Sequence, residues 1–231
     1  MQVRKSSRNI GVWGAAIAIA GGLAVCGVAP ASAEEGTGNQ VFYRGGFVGM
    51  SSSRSNEFFT DCGVAVGGPN TCGQNNGTTG WYAGAGLDLV MSKNAWGGMD
   101  KTWVVGEIGL QFNRFNSQNV NGGVSGATSG GLTAKTQLTS VTIDVAPKIK
   151  FMEGSAFRPW IIPVGLDIMV ISPPSNQTQY LDVGVQFGAG VEYELWRAFK
   201  LGVEARYHLM ANMTNTNNSY GQIGPYVGIS F

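Results

Sequence analysis

Every second residue from Gly221 to Phe231 is apolar: Ile223, Pro225, Val227, Ile229 and Phe231 share one side, and Gln222, Gly224, Tyr226, Gly228 and Ser230 the other. A period of two is that of a β-strand, whose successive side chains point to opposite faces. One face here is greasy and the other small or polar, as in a strand that turns its apolar side to lipid. Between Leu181 and Leu195 the same alternation sets Leu181, Val183, Val185, Phe187, Ala189, Val191, Tyr193 and Leu195 against Asp182, Gly184, Gln186, Gly188, Gly190, Glu192 and Glu194. Leu201, Val203, Ala205, Tyr207 and Leu209 then oppose Gly202, Glu204, Arg206 and His208, and Val141, Ile143, Val145 and Ile149 oppose Thr142, Asp144, Lys148 and Lys150. Strands are predicted over Val41 to Ser51, Gly80 to Ser92, Lys101 to Phe115, Thr136 to Met152, Phe157 to Ser172, Gln179 to Trp196, Phe199 to Asn212 and Tyr220 to Phe231. Eight is an even number, as closure from antiparallel hairpins requires. The expected fold is all-β, an eight-stranded antiparallel up-and-down transmembrane β-barrel.

The connections alternate in length. Ser52 to Thr79, Asn116 to Lys135, Pro173 to Thr178 and Met213 to Ser219 are rich in Gly, Asn, Ser and Thr; Lys93 to Asp100, Glu153 to Ala156 and Arg197-Ala198 are mostly shorter. Membrane barrels sort their loops in this way, with tight periplasmic turns and longer exterior loops. The first long loop is therefore expected outside.

Charge sharpens the assignment of faces. An Arg or Lys facing mid-membrane hydrocarbon costs about 2–4 kcal/mol. The interior is accordingly assigned Arg44, Lys148, Lys150 and Arg206, pairing with Asp88, Glu107, Asp144, Asp167, Asp182, Glu192, Glu194 and Glu204, with His208 beside them. The acids outnumber the bases, so water enters or some carboxylates are protonated. The 36 glycines suit a narrow barrel, where small inward residues make room for long ones. Gly84-Ala-Gly86 and Gly188-Ala-Gly190 neither complete a dinucleotide motif nor open a helical pattern. Tyr43, Trp81, Trp103, Trp160, Trp196 and Tyr207, near strand ends, are candidates for interfacial girdles.

The first residues carry Arg4, Lys5 and Arg8, an apolar run from Ile10 to Val28, and Ala31-Ser32-Ala33 before Glu34. This is the layout of a secretory signal peptide over residues 1–33, leaving 34–231 as one barrel domain. Two alternatives are an uncleaved anchor helix and, from Leu23-Ala24-Val25-Cys26, a lipoprotein signal in which Val25 replaces the usual small residue. Without residues 1–33 the chain keeps 12 basic and 14 acidic residues, so nothing favours nucleic acid as a partner. Cys62 and Cys72 remain, close together in a polar stretch, and read as a disulfide in an oxidising compartment. A zinc site would need further Cys or His ligands, and the one histidine, His208, is remote in sequence. No cofactor is expected.

The hairpin Gly188-Ala-Gly-Val-Glu-Tyr-Glu-Leu-Trp196 to Leu201-Gly-Val-Glu-Ala-Arg-Tyr207 and the terminal Tyr226-Val-Gly-Ile-Ser-Phe231 resemble the eight-stranded outer-membrane barrels of the OmpA/OmpX type. The resemblance is architectural, covers about Gln40 to Phe231, and lies closer to the OmpX plan, without a peptidoglycan-binding domain. It implies residence in a Gram-negative outer membrane among lipid and lipopolysaccharide. It also implies an assembly signal, read by the barrel-assembly machinery, in Tyr226, Ile229 and Phe231. The function it suggests is a rigid platform that presents exterior loops to a surface partner. A narrow channel for small or hydrophobic solutes shares the fold, and the acidic surplus would favour cations. Outer-membrane lipid A deacylases of this size use a His with a nearby Ser and Glu, but His208 is followed by Leu209 and Met210, and the alternation turns it inward. No enzyme activity is expected.

Overall fold

The computed structural model describes residues 38–51, 78–94, 101–121, 133–172, 180–196, 198–211, 213 and 217–231. They form β1 (Gln40–Met50), β2 (Thr79–Lys93), β3 (Trp103–Asn121), β4 (Thr133–Lys150), β5 (Phe157–Ser172), β6 (Leu181–Trp196), β7 (Phe199–Met210) and β8 (Tyr220–Ser230). Each strand pairs antiparallel with its sequence neighbours, and β8 pairs with β1 to close the barrel. Closure leaves no free sheet edge around the wall.

The outer wall is apolar. Phe47, Leu110, Ile143, Leu166, Val203 and Ile223 are each between 49% and 77% exposed, whereas Arg44, Glu107, Asp144, Lys148, Asp167, Glu204 and Arg206 of the same strands are turned inward and buried. Such an inversion is stable only where hydrocarbon, not water, bathes the wall. No described helix is long and apolar enough to cross a membrane.

Two predicted boundaries are wrong by three residues or more. β3 runs on to Asn121 and β4 starts at Thr133, inside the stretch expected to be a loop. After a register shift between Arg114 and Ser117 the two strands stay paired from Ser117↔Gln137 to Asn121↔Thr133. This ribbon pairs with neither β2 nor β5. The segment is polar in sequence, so backbone pairing continues where the hydrophobic alternation has ceased.

The wall also has a seam. Pairing between β4 and β5 lapses between Val145↔Leu166 and Ile149↔Ile161, and between β5 and β6 it lapses between Ile162↔Gly188 and Gly165↔Gln186. Pro147 and Pro163 lie in these gaps, exposed on the outer wall, and a proline has no N–H to give to a ladder.

Candidate functional site

The barrel interior is built in layers along its axis. At the end carrying the long connections, Val48, Tyr82, Phe115, Leu138, Met169, Ile171, Met210 and Tyr220 pack into an apolar cluster. Phe115 meets Tyr220 edge-on at 6.5 Å. Sequence reasoning missed this cluster, because β5 is apolar on both faces: Met169 and Ile171 point in while Ile168 and Val170 point out.

Beneath it lies a hydrogen-bonded layer of amides and hydroxyls. Gln111 and Gln222 exchange amide hydrogen bonds at 2.6 and 3.0 Å, Gln111 also donates to Asn113 at 2.6 Å, and Asn113 donates to Ser140 at 3.1 Å. His208 belongs here, fully buried, with Nδ1 at 2.7 Å from Asp167 Oδ2 and its ring stacked on Tyr220 at 4.3 Å. The Tyr220 hydroxyl is 3.1 Å from Thr142 Oγ1.

The middle layer is ionic and centred on Glu107. Arg206 grips it with both terminal nitrogens, at 2.5 and 3.1 Å, Arg44 reaches it at 3.2 Å, and the Lys148 ammonium also touches it. Arg44 donates to Asp144 at 2.6 Å, and Arg206 to Glu204 at 2.9 Å. The alternation of β1, β3, β4 and β7 delivers all six side chains to one level. Charges this deep require mutual pairing, since an unpaired ion away from water costs several kcal/mol.

Next comes a second apolar group, Phe42, Ala146, Trp160, Ile162 and Tyr226. Trp160 donates its indole N–H to the Tyr226 hydroxyl at 3.0 Å, and that hydroxyl donates to Glu192 at 2.9 Å. Trp160 is only 1% exposed, so it is no part of an interfacial girdle. Glycines make the room for these rings: a Cβ at Gly86 would sit 2.4 Å from Phe42, at Gly190 2.5 Å from Trp160, and at Gly202 2.2 Å from Tyr226. The rings also face cations, with the Lys148 ammonium 4.6 Å from the Trp160 centroid and the Arg206 guanidinium 5.3 Å from it.

Towards the turn end, Asp88 takes Lys148 at 3.0 Å and Lys150 at 2.9 Å, and Glu192 takes Lys150 at 3.3 Å and Lys200 at 3.6 Å. At the mouth Arg158 spans Glu153, at 3.2 Å, and Glu194, whose side chain is a quarter exposed and stands apart from the deeper network. Lys200 and Arg158 are lumen cations that sequence reasoning passed over. Lys200 shares parity with Glu204, an assigned inward residue of its strand, whereas Arg158 shares it with Trp160, which the structure places inside, and not with Asp167 beyond the register shift. Asp182 lies at the opposite end, where it accepts from Asn218 at 2.7 Å and from the Met213 backbone at 3.2 Å.

Of the three residues expected to signal assembly, Ile229 and Phe231 are exposed, at 44% and 57%. Tyr226 is committed inside, as described above. Cys62 and Cys72, and residues 1–33, lie outside the described residues. Among the described residues no group of His, Cys, Asp and Glu has the makings of a metal site.

A closed eight-stranded antiparallel barrel, apolar outside and ion-paired within, defines the class: a transmembrane up-and-down barrel. Among solved structures the chain is similar to Neisserial surface protein A (NspA), with a TM-score of 0.50 and 13% identity over 86% of this chain and 100% of that one. It is also similar to the outer membrane enzyme PagL (TM-score 0.46, 14% identity, 84% of this chain and 99% of that one). A third is Ail, the attachment invasion locus protein of Yersinia pestis (TM-score 0.39, 12% identity, 84% and 96%). At these identities the likeness is one of fold. No family model and no curated protein matches the chain.

Proposed function

We propose that the chain is a non-enzymatic bacterial outer-membrane protein of the OmpA/OmpX type whose lumen is closed to solutes and whose long connections are held outward on a rigid wall. The observation that carries this reading is the order of the lumen layers: ionic groups paired with one another lie between two apolar clusters. A water-filled path would need continuous polar lining, and the cluster around Tyr82, Phe115 and Tyr220 interrupts it at the long-connection end. The acidic surplus also shrinks. Lys200 and Arg158 join the bases, His208 faces Asp167, and neutral donors serve Asp182.

Lipid and lipopolysaccharide surround the wall in this reading, and the exposed Ile229 and Phe231 of the last strand are what the barrel-assembly machinery reads. The connections at the rim contact a surface partner. Planar-bilayer recording of the refolded protein tests the closed lumen. Silence is expected, and a stable unitary conductance overturns it. A lipid A deacylase activity that disappears in His208→Ala would overturn the non-enzymatic reading.

A further inference from the structure

Apart from Arg158, paired at the mouth, and Lys93, which ends β2 with its ammonium 4.7 Å from the Trp103 ring centroid, the cations whose side chains are described on the strands divide into two kinds. Arg44, Lys148, Lys150, Lys200 and Arg206 are buried in the lumen, and each reaches a carboxylate. Arg114 is exposed on the outer wall of β3 and, among the described residues, reaches none. Its Nη2 donates to Gln137 Oε1 at 2.7 Å, and Gln137 in turn donates from Nε2 to the Phe115 carbonyl at 2.8 Å. The guanidinium is thus held in place by a neutral amide, with no carboxylate against it among the described residues.

Its depth in the wall is fixed by its neighbours. Along β3 the outward side chains are Val104, Gly106, Ile108, Leu110 and Phe112, and the next is Arg114. On β4 and β5 the outward apolar series ends likewise, at Val141 followed by Thr139 and at Val170 followed by Ser172. The register aligns these polar positions, Arg114↔Thr139 and Thr139↔Ser172, and sets Trp81 of β2 opposite Arg114. Trp81 packs on Phe112 at 5.7 Å. An aligned change from apolar to polar across adjacent strands, marked by a tryptophan, is where hydrocarbon gives way to headgroups. Ten residues separate Val104 from Arg114, which at ~3.4 Å per residue and a tilt of ~45° measures about 24 Å, close to the height of a barrel's apolar band.

We propose that Arg114 binds the phosphate of an outer-leaflet phosphoglycolipid headgroup, with Trp81 against its acyl boundary and the amides and hydroxyls of Asn116, Gln137, Thr139 and Thr79 facing its sugar. A guanidinium presents paired N–H donors that match phosphate oxygens. Neutral hydrogen-bonding neighbours suit a sugar better than a second anion would. The assignment to the outer leaflet rests on the proposed orientation, with the long connections outside.

The test compares wild type, Arg114→Gln and Arg114→Lys in detergent micelles doped at equal mole fraction with bisphosphorylated lipid A, dephosphorylated lipid A or phosphatidylglycerol. Retained lipid is counted by native mass spectrometry. Heat-modifiable electrophoretic mobility shows that each variant is folded. Wild type is expected to retain bisphosphorylated lipid A in preference to the other two, with the preference reduced about fivefold in Arg114→Gln and partly kept in Arg114→Lys. Equal retention by wild type and folded Arg114→Gln overturns the site. Equal retention of phosphatidylglycerol and lipid A by wild type overturns the glycolipid as ligand. Protease digestion of intact cells reads the orientation separately, so a failure there is distinguishable from a failure of the phosphate site.

Discussion

Glu107 shows how much one carboxylate can hold together in a dry interior. Three cations converge on it, so removing its charge takes a carboxylate from Arg206, Arg44 and Lys148 at once and leaves Glu204, Asp144 and Asp88 to hold them. Glu107→Gln is expected to destabilise the barrel by about 3–5 kcal/mol, measured by guanidinium unfolding in lipid vesicles. Gly202→Ala acts by a different cause. Its Cβ would overlap the Tyr226 ring at 2.2 Å, and the expected loss is about 1–3 kcal/mol with the ionic layer intact. The inward charges were legible in the sequence because an Arg or Lys cannot face hydrocarbon cheaply. Trp160 was not, because Ile161 beside it is equally apolar and the lumen of a small barrel accepts either kind of side chain.

Strands were legible wherever their two faces met different surroundings. β5, which has the same bounds in the sequence reading and the structure, is apolar on both faces, and Asp167 alone marked the inward one. The far ends of β3 and β4 were lost because polar residues there say nothing about pairing. The proline seam was likewise invisible, since Pro147 and Pro163 keep their place in the apolar series while interrupting the ladders. Native-state hydrogen exchange should show it. Amides of Val164 and Gly165 are expected to exchange faster than those of Val203 and Ala205, whose ladders on both sides are unbroken. Equal protection at the two places would mean that the seam is closed by bonds of another kind.

For the molecule as a whole, closure came from the even strand count and the sorted connections, whereas the layering of the lumen depended on packing between distant strands. Protease added to intact cells is expected to cut within residues 52–78 or 122–132 and to leave the barrel core. Protection of both stretches would count against their exterior placement. Cys62 and Cys72 are expected to be oxidised, so a thiol reagent applied to unfolded, unreduced protein should modify neither.

The paired continuation of β3 and β4 adds ~17 Å of strand beyond Asn116. Among the described residues, pairing runs furthest past the apolar series here, so Asn121 and Thr133 stand at a raised point of the wall.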